Sequence, residues 1–411
     1  MDSSDGKRTR NPWLGVFGAA LFLISTHGFA QSIGVVQSYL ELNQLQDYQT
    51  SDIGWIIGLY SLLSLVLGII AGPLIDYFGI RPLTAPALVL STLLYFVMAE
   101  CTNYWHFMLC LGVLGGVGGA VASTLAISAA GKLFVERRGT AIGFALAGAS
   151  VGGVAIPLLL NATFPRFGWA WSMRILGFII LVLNLIGSLC LVLVSDQVPL
   201  NTDLGIRSAA PSLEAFGSGT FCFTTVGFAL IELAMFGING LLPTFAVSVG
   251  FSLQTAYVLL SVLAGSSFFG RIVAGVAADY IGSFNALVIM NTFSAVVTAA
   301  LYVPFGDRSP KALFAFASLW GFGSGSCLSL VPACVGKTCD RKDYGRYLGT
   351  MLSVTSISAL IAIPAGGEML DRFGPRATAG FFLATAVGSS ISFTFARWRL
   401  GGKFLNFTQA I

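Results

Sequence analysis

Three residues could do chemistry deep inside the apolar stretches of this chain: Arg271, Glu232 and His27. Arg271 stands eight residues before Asp279, about 12 Å along a helix at roughly 1.5 Å per residue. A guanidinium at that depth is costly unless it meets water or a partner. Its planar fork suits a carboxylate or another anion. Two readings stay open for it: a seat for an acidic group on a substrate, or half of a structural ion pair. Glu232 is the one acid in the middle of an apolar run. It could carry a proton, or neutralise Arg271, and the two are compatible if a proton breaks the pair. His27 lies four residues before Gln31, so the two share a helix face. It could join proton handling, or be satisfied by a helix carbonyl or a serine. Gln31 and Asn239 are candidate hydrogen-bonding partners for a substrate. Ser267, one turn before Arg271, completes the candidate binding and coupling set.

Other chemistries find no support. The two histidines, His27 and His106, are far apart in sequence. There is no paired-histidine metal motif, nucleophile elbow or phosphate loop. No metal, cofactor or enzymatic centre is expected, and the chain is read as not an enzyme. The seven cysteines have no ligand spacing. They are read as small apolar fillers, with neither disulfide nor metal inferred.

A short polar phrase occurs twice. Gly72-Pro-Leu-Ile-Asp76-Tyr77-Phe-Gly79 returns as Gly275-Val-Ala-Ala-Asp279-Tyr280-Ile-Gly282, 203 residues later. Gly116-Val-Gly118-Gly119 is echoed by Gly323-Ser-Gly325-Ser326. Ala155-Ile-Pro157 and Arg166-Phe-Gly168 are echoed by Ala362-Ile-Pro364 and Arg372-Phe-Gly374. Ordered echoes at nearly constant offset imply two parallel halves. An aspartate in such a phrase can cap a neighbouring helix N-terminus and pair with a nearby arginine. Asp76 with Gly72, Gly79 and Arg81, together with Asp279, Arg137 and Arg138, therefore form a candidate gate that holds one face shut.

The elements that must position these residues span a bilayer. Hydrophobic residues make up 55% of the chain and charged residues 10%, against roughly 25% charged in soluble domains. Spans of about 20 apolar residues fall at roughly 13–39, 53–71, 83–100, 104–130, 139–162, 169–194, 220–247, 253–277, 285–305, 311–337, 346–368 and 376–396. The expected fold is an all-α membrane protein of twelve transmembrane helices in two pseudo-symmetric six-helix halves. Residues 1–194 form the first half, 195–219 a polar linker and 220–411 the second half. Span 1 is too long for a signal-peptide core and reads as an anchor. With both termini in the cytoplasm, fifteen Lys and Arg fall on that side and six on the other, Arg271 being intramembrane. Nucleic acid is not implied by a net charge of +4. The partners expected are the lipid bilayer and a small-molecule substrate, with protons left open and the protein working as a monomer. The plasma membrane is the default location.

These phrases resemble the major facilitator superfamily across essentially the whole chain. The Gly72–Arg81 phrase is similar to the superfamily's loop 2–3 signature, with Tyr77 and Ile80 standing where basic residues are usual. A narrower likeness is to the monocarboxylate-porter family, especially its fungal branch. It rests on Trp13-Leu-Gly-Val-Phe-Gly18 with Ser32-Ile33-Gly-Val35, on Glu136-Arg137-Arg138-Gly139 running to Gly148-Ala-Ser150-Val-Gly152-Gly153, and on Gly270-Arg271 with Gly275. Animal members carry a lysine where this chain has Gln31 and an aspartate where it has Ser267; Arg271 is retained. The resemblance implies a secondary transporter working by alternating access. Its substrate would be a small organic acid or amphipathic metabolite, other than a simple monocarboxylate. An efflux carrier for a secondary metabolite is the alternative, and a non-transporting membrane sensor a further one.

Overall fold

The computed structural model describes residues 11–48, 50–134, 136–198 and 213–401. Most of the expected linker, the N-terminal basic residues and Lys403 lie outside the described residues.

Apolar length dictates the architecture. Among the described residues, eleven helices are long and apolar enough to cross a membrane. One of them, Arg138–Gln197, has 60 residues; straight, it would run about 90 Å, three bilayer cores. It reverses at Gly168, whose φ of 67° and ψ of −174° break the helix. The described residues therefore make twelve crossings. In chain order they are α1 Trp13–Gln37, α2 Asp52–Phe78, α3 Ile80–Met98 and α4 Tyr104–Leu133, then α5 at 138–167 and α6 at 169–194. The second half comprises α7 Gly219–Val247, α8 Val258–Ile281, α9 Ser283–Phe305 and α10 Pro310–Val335, then α11 at 344–373 and α12 at 375–401.

The internal repeat is written into the backbone. Gly79 (φ 79°) turns α2 into α3 and Gly282 (φ 93°) turns α8 into α9. Gly168 (φ 67°) turns α5 into α6 and Gly374 (φ 82°) turns α11 into α12. These are the repeated glycines of the sequence, and the left-handed region they occupy is open to glycine at little cost. The helices also start on local signals. Ser218 accepts from the Phe221 amide at the head of α7, and Ser309 accepts from the Ala312 amide at the head of α10, with Pro310 in the first turn.

One expectation changes. The Gly72–Phe78 stretch is not loop: α2 runs through it, and only Gly79 turns. The phenylalanines of α7 are packing residues. Phe221, Phe228 and Phe245 are buried, and Phe223 and Phe236 pack partly buried against the same core.

The halves meet through two helix crossings, α2 with α11 and α5 with α8. Both are backbone-close. A Cβ on Gly72 would lie 2.0 Å from the Gly345 carbonyl, and one on Gly275 would lie 2.5 Å from the Gly139 carbonyl. Small residues at such crossings allow the dispersion contact that holds helices together in lipid.

Candidate functional site

The Asp76 carboxylate accepts the Gly345 amide at 3.1 Å and the Arg346 amide at 2.7 Å. These are free N–H groups in the first turn of α11, where the helix dipole is positive. The Asp279 carboxylate does the same for α5. It accepts the Gly139 and Thr140 amides, each at 2.9 Å, and the Thr140 hydroxyl. Each half thus caps a helix of the other half, and the two caps define one clamped end of the bundle.

The clamp is not symmetric in charge. Asp76 forms an ion pair with Lys132 from the end of α4, both side chains being buried. The partner of Asp76 is thus not the arginine its phrase suggests but Lys132, five residues before Arg137. Arg138 is buried, donates to the Gly131 carbonyl at 3.0 Å, and sits over the Tyr344 ring at 5.2 Å. Arg341 donates to the Lys132 carbonyl at 2.6 Å. Two guanidiniums therefore satisfy the carbonyl end of α4. Arg81 and Arg137 are exposed, and neither forms an ion pair with a described residue. Of the expected basic residues only Arg138 is engaged at the clamped end, alongside Lys132 and Arg341.

Further along the crossings the contacts turn polar and neutral. Ser150 and Ser267 share a hydrogen bond of 2.8 Å between α5 and α8, and Ser353 donates to the Val66 carbonyl at 2.7 Å between α11 and α2. Ser267 is thus occupied in joining the halves. At the opposite end of the bundle two ion pairs join helices of the same half. Arg174 of α6 meets Glu100 just past α3 at 2.5 Å, and Arg376 of α12 meets Asp307 just past α9 at 2.9 Å.

Arg271 lies between these levels and is buried. Its Nη1 donates to the Leu146 carbonyl of α5 at 2.6 Å, while its Nε has no partner. Among the described residues no carboxylate pairs with it. His27 lies within electrostatic reach of it across the halves. That histidine sits in a π-helical stretch, Ile24–Gly28, within α1; such wide turns are frequent at functional sites. Gln31 lies against Gly153 of α5.

The pairing of Glu232 with Arg271, left open by the sequence, is not formed. Glu232 is buried, with Thr355 of α11 among its neighbours. Arg271 faces α5 instead. Glu232 Oε2 is without a partner, as is Asn239 Oδ1 seven residues further on the same helix. Residues i and i+7 share a helix face, so α7 carries two unmatched acceptors in a row. Thr355, Ser150 and the Leu146 carbonyl are site elements the sequence did not reveal.

A family model, the Major Facilitator Superfamily, matches residues 14–362. The chain belongs to the major facilitator superfamily. Among curated relatives, the aspyridones efflux protein of Emericella nidulans is 30% identical over 405 residues, covering 96% of this chain and 78% of that protein. The riboflavin transporter of Saccharomyces cerevisiae is 30% identical over 379 residues, covering 87% of this chain and 72% of that one. The crystal structure of the Escherichia coli fucose:proton symporter superposes with a TM-score of 0.72 at 17% identity, over 95% of this chain and 99% of the symporter, which establishes the common fold. A superfamily member is a multi-pass membrane transporter, and its substrates are small molecules.

Proposed function

We propose that this superfamily member exports an amphipathic metabolite bearing an acidic group by alternating access. The observation that carries the reading is Arg271. A buried guanidinium with one nitrogen on a carbonyl, Nε unmatched and no carboxylate among the described residues leaves a net positive charge in a low-dielectric setting. Such a charge is tolerable when an anion visits it, and the substrate's acidic group is that anion. The efflux direction is supported by the efflux relative; the likeness to the riboflavin transporter favours a second reading, transport of a heteroaromatic compound. The residue likeness to the fungal monocarboxylate porters agrees with an acidic substrate.

In this account the clamped end is cytoplasmic, both termini lie on that side, and the described state faces outward. The two carboxylate caps must release their helices for the cycle to proceed. Glu232 and His27 are the groups proposed to couple a proton. The chain works as a monomer in the plasma membrane.

The test compares small molecules in cells and medium for a deletion strain, a restored strain and a strain restored with Arg271→Ala. The export reading expects an acidic metabolite that accumulates inside the deletion strain, falls on restoration and stays high with the variant. A nutrient lingering in the medium of the deletion strain would support uptake instead. No difference at all would contradict transport across the plasma membrane.

A further inference from the structure

We propose that Cys101 and Cys110 are joined by a disulfide in the mature protein, at the end of the bundle away from the clamp. They are nine residues apart and follow no motif, but the α3–α4 hairpin brings them together. The Cys101 thiol donates to the Val97 carbonyl at 3.4 Å, and the Cys110 thiol to the Leu94 carbonyl at 3.5 Å. Leu94 and Val97 are one helical turn apart, so both sulfurs rest on the same side of α3. Both residues are buried, which holds the sulfurs in place and leaves little other chemistry for them.

Place in the bundle supplies the second argument. α2 ends at the clamp and α3 starts there, so the end of α3 and the head of α4 lie at the far end. The other five cysteines, Cys190, Cys222, Cys327, Cys334 and Cys339, all lie between mid-bundle and the clamped end. The pair alone would face the oxidising side of the membrane, where disulfides persist. This step rests on the orientation proposed above. The bond forms by exchange with a disulfide of that compartment: two Cys S–H bonds are lost, one S–S bond forms, and the donor disulfide takes both electrons and both protons as two thiols. Closure would tie the α3–α4 turn next to the Glu100–Arg174 ion pair and the Trp169 indole, which donates to the Met98 carbonyl at 2.9 Å.

The experiment reads thiols in protein taken straight from cells. Membranes are denatured into N-ethylmaleimide, reduced, and labelled with a heavier maleimide before mass spectrometry. The proposal expects the heavy label on Cys101 and Cys110 and the light label on the other five. In a Cys101→Ser variant Cys110 should switch to the light label. A parallel sample of native membranes is treated with oxidised glutathione. Light label on both residues, unchanged by that treatment, would overturn the juxtaposition itself. Light label in cells that becomes heavy after oxidation would overturn the mature disulfide and, with it, the proposed orientation, while leaving the geometry standing.

Discussion

Asp76 and Asp279 are reciprocal: each carboxylate accepts the amides at the second and third positions of a helix in the opposite half, α11 for Asp76 and α5 for Asp279. The repeat of 203 residues in sequence thus becomes a two-fold exchange of helix caps in space. A helix end is a fixed partial charge, so this joint depends on direction: tilting one half takes the amides away from the carboxylate.

The two caps should differ in strength. Asp76→Asn strands the buried Lys132 ammonium, and removing one partner of a buried pair costs about 3–5 kcal/mol. Asp279→Asn weakens hydrogen bonds but strands no cation, at a cost of roughly 1–2 kcal/mol. Thermal unfolding of the purified variants should place Asp76→Asn well below Asp279→Asn, and Asp76→Asn with Lys132→Met between it and the native protein. Equal losses for the two single variants would mean that Lys132 does not depend on Asp76.

Closeness at the crossing gives a steric prediction. A methyl on Gly72 has no room beside the Gly345 carbonyl, so Gly72→Ala should spread the clamped end. Alkylation of Cys339, half-buried beside that end, should accelerate severalfold. Gly168→Ala is the control, since a Cβ there meets open space and only the backbone conformation is penalised, by roughly 1–3 kcal/mol. It should lower stability without changing the Cys339 rate.

The Ser150–Ser267 bond is measurable as a coupling. Either serine changed to alanine should lose about 0.5–1.5 kcal/mol, and the double variant little more than one of them. Simple additivity in a thermal-unfolding cycle would show that the two hydroxyls act independently.

Glu232 supplies a pH test. If this carboxyl carries the coupled proton, Glu232→Gln should leave export insensitive to external pH while the native protein responds to it. Thr355→Val, which removes a hydroxyl near Glu232, should shift the pH response without abolishing it. An unchanged pH profile in Glu232→Gln would remove Glu232 from proton handling.

The sequence carried the repeat because the repeat resides in residue types with few substitutes. Gly79, Gly168, Gly282 and Gly374 must occupy positive φ, and Asp76 and Asp279 must offer two acceptors to two amides. The partners of those residues were less visible. Lys132 is an ordinary basic residue until the end of α4 is placed beside Asp76. The helix heads that receive the caps carry a repeated Gly139-x-x-x-Gly143 and Gly345-x-x-x-Gly349, a signal that was present but is common in membrane helices. Whether Glu232 meets Arg271 depends on which way α7 and α8 turn about their axes, and apolar runs with weak periodicity do not encode that rotation. Cys101 and Cys110 were opaque for a similar reason, since only the hairpin makes them neighbours.

The central claim is that Arg271 seats the acidic group of the substrate. Its most direct measurement is thermal stabilisation of the purified protein by a panel of amphipathic organic acids and their methyl esters, since a ligand that binds the folded state raises its unfolding temperature. The account predicts that at least one acid stabilises the native protein, that its ester does not, and that Arg271→Ala loses the response while still folding. An ester that stabilises as well as its acid, or an Arg271→Ala protein that keeps the response, would contradict it.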